Sequence, residues 1–244
     1  MHTFLHRYEL DTSAPTSHEF WRDLSRRALL PAVGLWLVIV GAGLLIVGPL
    51  QNLPSEAGVN RWFEARRTET LNTVTAVLSG IGQTEFIIGA CALAIGLLWW
   101  KTRQWWFALV PGLAVSLQAL VFLTSALVVG RGRPEVQHLD DSPPTSSYPS
   151  GHTGAATAFY LTLAALCQRI GNPVLRWTLT VLCLLVPFCV GIGRMYRGMH
   201  SLTDVLLGFV NGVACAVLAW GYLRRDTSGS RSRATPVSAG RARR

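Results

Sequence analysis

The sequence predicts an all-α fold: a bundle of six transmembrane helices with a polar site at their outer ends. Composition is the first observation behind this. Half of the 244 residues are apolar, only 14% are charged and the mean hydropathy is +0.34, whereas a soluble domain carries about 25% charged residues. The second is spacing. Charge-free runs cover 28–55, 104–130, 153–168, 177–193 and 205–223, and a shorter one covers 86–100 between Glu85 and Lys101. A helix needs about 20 apolar residues to cross the hydrocarbon core, so six crossings fit. The third is the distribution of charge. With the amino terminus inside, the alternating segments net +10 on the inner side and −1 on the outer side, which is the positive-inside asymmetry with both termini cytoplasmic. The formal charge of +9 is therefore topological, and no basic stripe on a soluble surface points to a nucleic-acid partner.

The elements follow in order. Residues 1–30 form a cytoplasmic segment, too polar and acidic for a cleavable leader. Residues 31–223 form the six-helix domain. The first crossing runs from Pro31, tolerable in an opening turn, to about Leu50, and a short surface helix follows around Arg61 to Thr70. A slanted approach through 71–83 leads to the second crossing, about Thr84 to Trp100. Trp99, Trp100, Trp105 and Trp106 bracket Lys101 and Arg103 as an interfacial aromatic belt. The third crossing, Trp105 to about Val129, opens into the longest outer loop, 130–150. Helix four starts near His152, helix five ends near Gly193, and helix six runs from about residue 204 to Leu223. The tail, 224–244, carries seven arginines among Ser and Gly and is expected to be disordered. Cys91, Cys167, Cys183, Cys189 and Cys215 fall inside apolar runs without metal-ligand spacing and read as packing residues.

Three polar segments abut the outer helix ends: Gly130–Pro134, Tyr148–His152 and Gly193–Asp204. Ionisable residues at such positions are costly unless they bind something or each other. His200 and Asp204, four apart at a helix start, share a face. Asp204 can accept the Nδ1 proton of His200 and leave Nε2 as a nucleophile or base; taken alone, the pair also reads as an ordinary helix start. Ser150 is a good N-cap, and the amides after it, with Gly151 and His152, form an anion cradle. Arg131, Arg133 and Arg194 offer planar forks for phosphate oxygens, or else partners for Glu135, Asp140 and Asp141. No His, Asp or Glu cluster has metal spacing, so no metal or other cofactor is expected. His138 and Thr145 to Ser147 lie in the same loop without an assigned role.

On these residues the chain resembles the type 2 phosphatidic acid phosphatase superfamily, integral-membrane lipid phosphatases that share a fold with vanadium haloperoxidases. The family signature is a Lys, six residues and Arg-Pro; then Pro-Ser-Gly-His; then Ser-Arg, five residues, His, three residues and Asp. Pro149 to His152 match the second part completely, and Arg194, His200 and Asp204 keep the third. Ala126 stands where the family lysine falls and Gly193 replaces the serine; Arg131 is the candidate substitute cation. The resemblance implies that His200 attacks phosphorus to give a phosphohistidine, Asp204 orients it and His152 protonates the leaving oxygen. Arg133, Arg194, Ser150 and Gly151 would hold the phosphoryl oxygens. The expected substrate is a lipid phosphate presented by the membrane on its outer face, with isoprenoid diphosphate first and phosphatidate-like or phosphatidylglycerophosphate-like lipid next. A lipid phosphotransferase and a degenerate lipid-binding or transport relative are the rival readings.

Overall fold

The computed structural model describes residues 2–141 and 145–224, and every described element is helical. After two single turns, His2–Leu5 and Arg7–Leu10, α1 runs Ser17–Val47. Two short helices follow, α2 (Glu56–Glu64) and α3 (Glu69–Gly80). The remaining long helices are α4 (Thr84–Thr102), α5 (Val110–Val129), preceded by a single turn at Trp105–Ala108, α6 (Gly151–Cys167), α7 (Pro173–Tyr196) and α8 (Leu202–Trp220). The arginine-rich tail expected to be disordered lies, from residue 225 on, outside the described residues.

Among the described residues six helices make the bundle, as expected, but five stretches are long and apolar enough to cross a membrane on their own: Ser17–Val47, Thr84–Thr102, Trp105–Val129, Pro173–Tyr196 and Leu202–Trp220. The sixth, α6, has 17 residues and packs against α5, α7 and α8. A helix surrounded by protein needs no lipid-facing stripe, so α6 tolerates Thr153, Thr157 and Thr162 in its buried face. Thr157 and Thr162 return their hydroxyls to the carbonyls of Thr153 and Ala158, at 2.6 and 2.8 Å, which removes the cost of burying them.

Element boundaries depart from the sequence reading in three places. First, α1 begins at Ser17, not Pro31. Thr16 and Glu19 form a reciprocal capping box, and a π turn at Ser25–Leu29 precedes Pro31, whose ring carries no N–H for the ordinary ladder. Second, the surface helix expected around Arg61 to Thr70 is two helices, because Thr68 caps a new start by accepting from the Leu71 amide. Third, α7 continues to Tyr196, which puts Arg194 on a helix instead of in a loop. At the end of the bundle away from the site, the amino-terminal turns are docked: Tyr8 donates to the Trp220 carbonyl at 3.1 Å and Trp220 to that of Phe4 at 2.9 Å. All five cysteines are free and at least partly buried, as packing residues should be.

The site is positioned by the α6–α8 seam. A Cβ added at Gly212 would meet Thr157 Cβ at 2.4 Å and the Gly154 carbonyl at 2.6 Å, and one at Gly208 would meet the Ser150 carbonyl at 2.7 Å. Small residues let helix backbones approach in a membrane. Here they bring the Ser150 amide within 2.8 Å of the Asp204 carbonyl. Tyr148 pins the preceding loop to α1 by donating to the Ile39 carbonyl at 2.7 Å. Gly212→Val is expected to cost about 3 kcal/mol through overpacking, read as a lowered Tm in detergent; an unchanged Tm would mean the seam is not close-packed.

Candidate active site

His152, Gly151, Arg133, Arg194, Asp140 and His200 line one cavity of about 440 Å3, closed on a further side by Phe122 of α5. Three separate stretches of sequence therefore meet. Gly151 is there for a steric reason, since a Cβ would lie 2.7 Å from the Phe122 ring. Its amide sits in the first turn of α6, where no helical carbonyl is available to it.

His200 is buried, and its Nδ1 lies 2.7 Å from the Ser147 carbonyl. A carbonyl can only accept, so Nδ1 carries the proton and Nε2 the lone pair. Burial, then the charges of Arg194, Arg133 and His152, hold the imidazole well below the ordinary histidine range. Its backbone is clamped too: Asn60 donates to the His200 carbonyl at 3.1 Å and Arg133 to that of Met199 at 2.8 Å.

Asp204 does not make the contact that its spacing suggested. Its Oδ2 lies 3.9 Å from His200 Nδ1 and accepts from the Ser201 amide at 2.8 Å, while Oδ1 accepts from Arg131 at 2.6 Å. The helix-start amide outcompetes the imidazole for the carboxylate, and the Ser147 carbonyl takes the orienting position.

Arg131 is likewise placed elsewhere than expected. Its guanidinium donates to Asp204, to Thr203 at 2.7 Å, and to Glu56 and the Asn52 carbonyl at 2.8 Å each. It faces a second cavity, of about 460 Å3, and not the one containing His200. Two carboxylates have consumed the cation proposed as a stand-in for the missing lysine, and Ala126 is simply a buried residue of α5. Ser150 also differs: its hydroxyl is buried and bonded to Thr153 at 2.9 Å, so it caps α6 and leaves the cavity wall to Gly151.

Arg133 and Arg194 keep a donor each. Among the described residues, Arg133 Nε and Arg194 Nε are buried without a hydrogen-bond partner. The other end of Arg194 donates to Ser79 at 2.8 Å and Asp140 at 2.7 Å. Arg197 also grips Asp140, at 2.5 to 2.9 Å. Burial pushes the Asp140 carboxyl up, but the Arg197 hydrogen bonds and the charges of Arg194 and Arg197 bring it below its ordinary value. The alternative reading of Arg194 as a partner of Asp140 is thus realised at one nitrogen only. At Gly193 an added Cβ would find the Thr75 carbonyl at 3.6 Å, ordinary contact, so a serine would fit. Among the described residues no group of three His, Cys, Asp or Glu side chains could hold a metal ion.

Sequence reasoning missed Ser147, Asn60, Ser79 and Glu56. The first acts through its backbone, which no residue pattern reveals. The other three come from α2 and α3, whose distance along the chain hides their contact with residues 194–204. Asp140 was visible as an acid in an arginine-bearing loop.

The arrangement defines a class: a multi-pass helical membrane protein with a neutral, lone-pair-bearing imidazole beside an anion cradle. Comparison narrows it. Residues 107–228 match the PAP2 superfamily, and the chain belongs to that superfamily. Phosphatidylglycerophosphatase B of Bacillus subtilis is 27% identical over 159 residues, 64% of this chain and 77% of that protein. A dihydrosphingosine 1-phosphate phosphatase of Schizosaccharomyces pombe is 35% identical over 78 residues, 31% of this chain and only 19% of that protein. In fold, the chain resembles the crystal structure of a transmembrane PAP2-type phosphatidylglycerolphosphate phosphatase from Bacillus subtilis, with a TM-score of 0.67 and 23% identity over 78% of this chain and 94% of that one. It also resembles Aquifex aeolicus LpxE, with a TM-score of 0.52 and 21% identity over 66% and 92%.

Because its midpoint is depressed, His200 is expected to stay neutral as pH falls through about 6.5, read by 15N-imidazole NMR in micelles. Arg194→Gln or Arg133→Gln removes a facing cation and should move the midpoint up. A wild-type midpoint near 6.5 would contradict the burial argument.

Proposed function

We propose that the protein is a membrane lipid phosphatase that cleaves a terminal phosphate or diphosphate through a phosphohistidine. The observation that carries this is the shared cavity: His200 belongs to the same chamber as the two guanidinium groups whose Nε donors have no partner. Such a chamber fits a tetrahedral anion beside a nucleophile.

In the first step the His200 Nε2 lone pair forms the N–P bond as the bond from phosphorus to the leaving oxygen breaks. His152, protonated as the phosphate dianion enters the chamber, gives that oxygen a proton. Arg133, Arg194 and the Gly151 amide hold the non-bridging oxygens, whose charge grows in the transition state. The new imidazolium keeps its Nδ1–H on the Ser147 carbonyl, with the Asp204 carboxylate 3.9 Å away. In the second step His152 takes a proton from water, whose oxygen bonds to phosphorus as the bond from phosphorus to His200 Nε2 breaks, releasing phosphate and returning the neutral imidazole. Catalysis calls on no metal.

In this reading the site faces the outer side and both termini are cytoplasmic, an orientation supported by the basic inner segments. An outward site favours isoprenoid diphosphate, a spent carrier lipid, as substrate. The names of the relatives favour lipid phosphate monoesters, phosphatidylglycerophosphate among them. In either class the tail lies among the apolar helices while the phosphate reaches the cavity.

Protein purified in detergent is expected to release inorganic phosphate from members of a panel of isoprenoid diphosphates, phosphatidate and phosphatidylglycerophosphate, with EDTA present. His200→Ala should lower the rate at least ~10³-fold, and Arg133→Ala should cost about 2 to 5 kcal/mol of transition-state binding. Full activity in His200→Ala, or no release across the panel, overturns the assignment. Transfer of labelled phosphate to an added alcohol in preference to water would identify a phosphotransferase instead.

A further inference from the structure

Glu56 lies on α2, outside the stretch matched by the family and outside the three polar segments, yet it is buried against the end of the site. Its Oε2 accepts from Arg131 at 2.8 Å and from the Thr203 hydroxyl at 3.0 Å, and its Oε1 accepts from the Thr203 amide at 2.7 Å. Arg131 in turn donates to Asp204 at 2.6 Å. The result is a buried row of carboxylate, guanidinium and carboxylate, with side-chain exposures of 8%, 3% and 0%, ending 3.9 Å from the nucleophile's Nδ1.

We propose that Glu56 is a positioning residue for the reaction, acting through Arg131 to keep one net negative charge behind the His200 imidazole. The inference rests on the reading of His200 as nucleophile. When Nε2 bonds to phosphorus, the imidazole becomes a cation in a water-poor site, where a counter-charge counts for more than it does in water. Asp204 alone would supply that charge, but Asp204 is bound to Arg131, and a lone Arg131–Asp204 pair is neutral. Glu56 neutralises the guanidinium and so returns the net charge of Asp204 to the imidazole. The same contacts fix Thr203 and hence the first turn of α8, which carries Asp204. Arg131 is needed in turn because two buried carboxylates cannot stand together unpaired.

Charge balance separates this from a purely structural role. Glu56→Gln leaves a neutral Arg131–Asp204 pair and is expected to lower kcat about tenfold, with KM near that of the wild type. Glu56→Asp keeps the second carboxylate and should recover kcat relative to Glu56→Gln. Phosphoenzyme trapped by acid-free quenching should fall and recover in step. A Glu56→Asp enzyme no faster than Glu56→Gln, a Glu56→Gln enzyme with wild-type kcat, or an effect confined to KM each overturns the proposal. If Glu56→Gln does not fold in detergent, Glu56→Asp is read directly against the wild type. A kcat within about tenfold of wild type then supports the proposal and a greater loss overturns it. Failure of the underlying reading looks different: wild-type protein would then form no phosphohistidine, or His200→Ala would keep its activity.

Discussion

The contact on which the site depends is the 2.8 Å hydrogen bond from the Ser150 amide to the Asp204 carbonyl. It joins the starts of α6 and α8, and with them the two motifs carrying His152 and His200. The bond is reached only because Gly208 and Gly212 let the two helices approach until an added methyl group would collide. Ser150 caps α6 at the same point, so the residue that looked like a ligand for phosphate serves the seam that shapes the cavity. Packing in the bilayer and chemistry at its edge are thus one problem, solved with small residues.

Around that seam the buried cations divide by whether carboxylates have closed them. Arg131 is shared by Glu56 and Asp204, and Arg197 is wrapped around Asp140. Both are structural, holding α2, α3 and the 130–141 loop against the end of α7 and the start of α8. Arg133 and Arg194 each retain an unpartnered Nε. A buried guanidinium with a donor left over carries an uncompensated cost. Asp140 moderates that cost at Arg194 without saturating it. His200 is protected from the opposite error: among so many polar neighbours its imidazole stays neutral because burial and two nearby guanidinium charges disfavour a proton.

Much of this was legible in the chain. His200, His152, Arg133, Arg194 and Gly151 share one cavity, as their motifs implied, and the six-helix count holds. The misread residues failed for physical reasons. Asp204 was assigned to His200 by helical spacing, but a capping carboxylate has a competing donor in its own helix start. Arg131 was assigned to substrate by its position two residues before Arg133, but Glu56, on α2 and 75 residues away in sequence, reaches it first. Ser147 contributes only a carbonyl, which every residue possesses and no pattern marks.

By itself, the sequence determined that the chain crosses a membrane several times and which side chains could do chemistry. Run length, charge asymmetry and motif spacing are local properties that survive without coordinates. Only the tertiary structure decided which of those side chains remain available. Hydrogen-bond donors and acceptors are finite, and whether Arg131 or Ser150 has any left depends on neighbours brought in from α2 or from within the next helical turn. The difference between a binding arginine and a structural one is the number of carboxylates that reach it first.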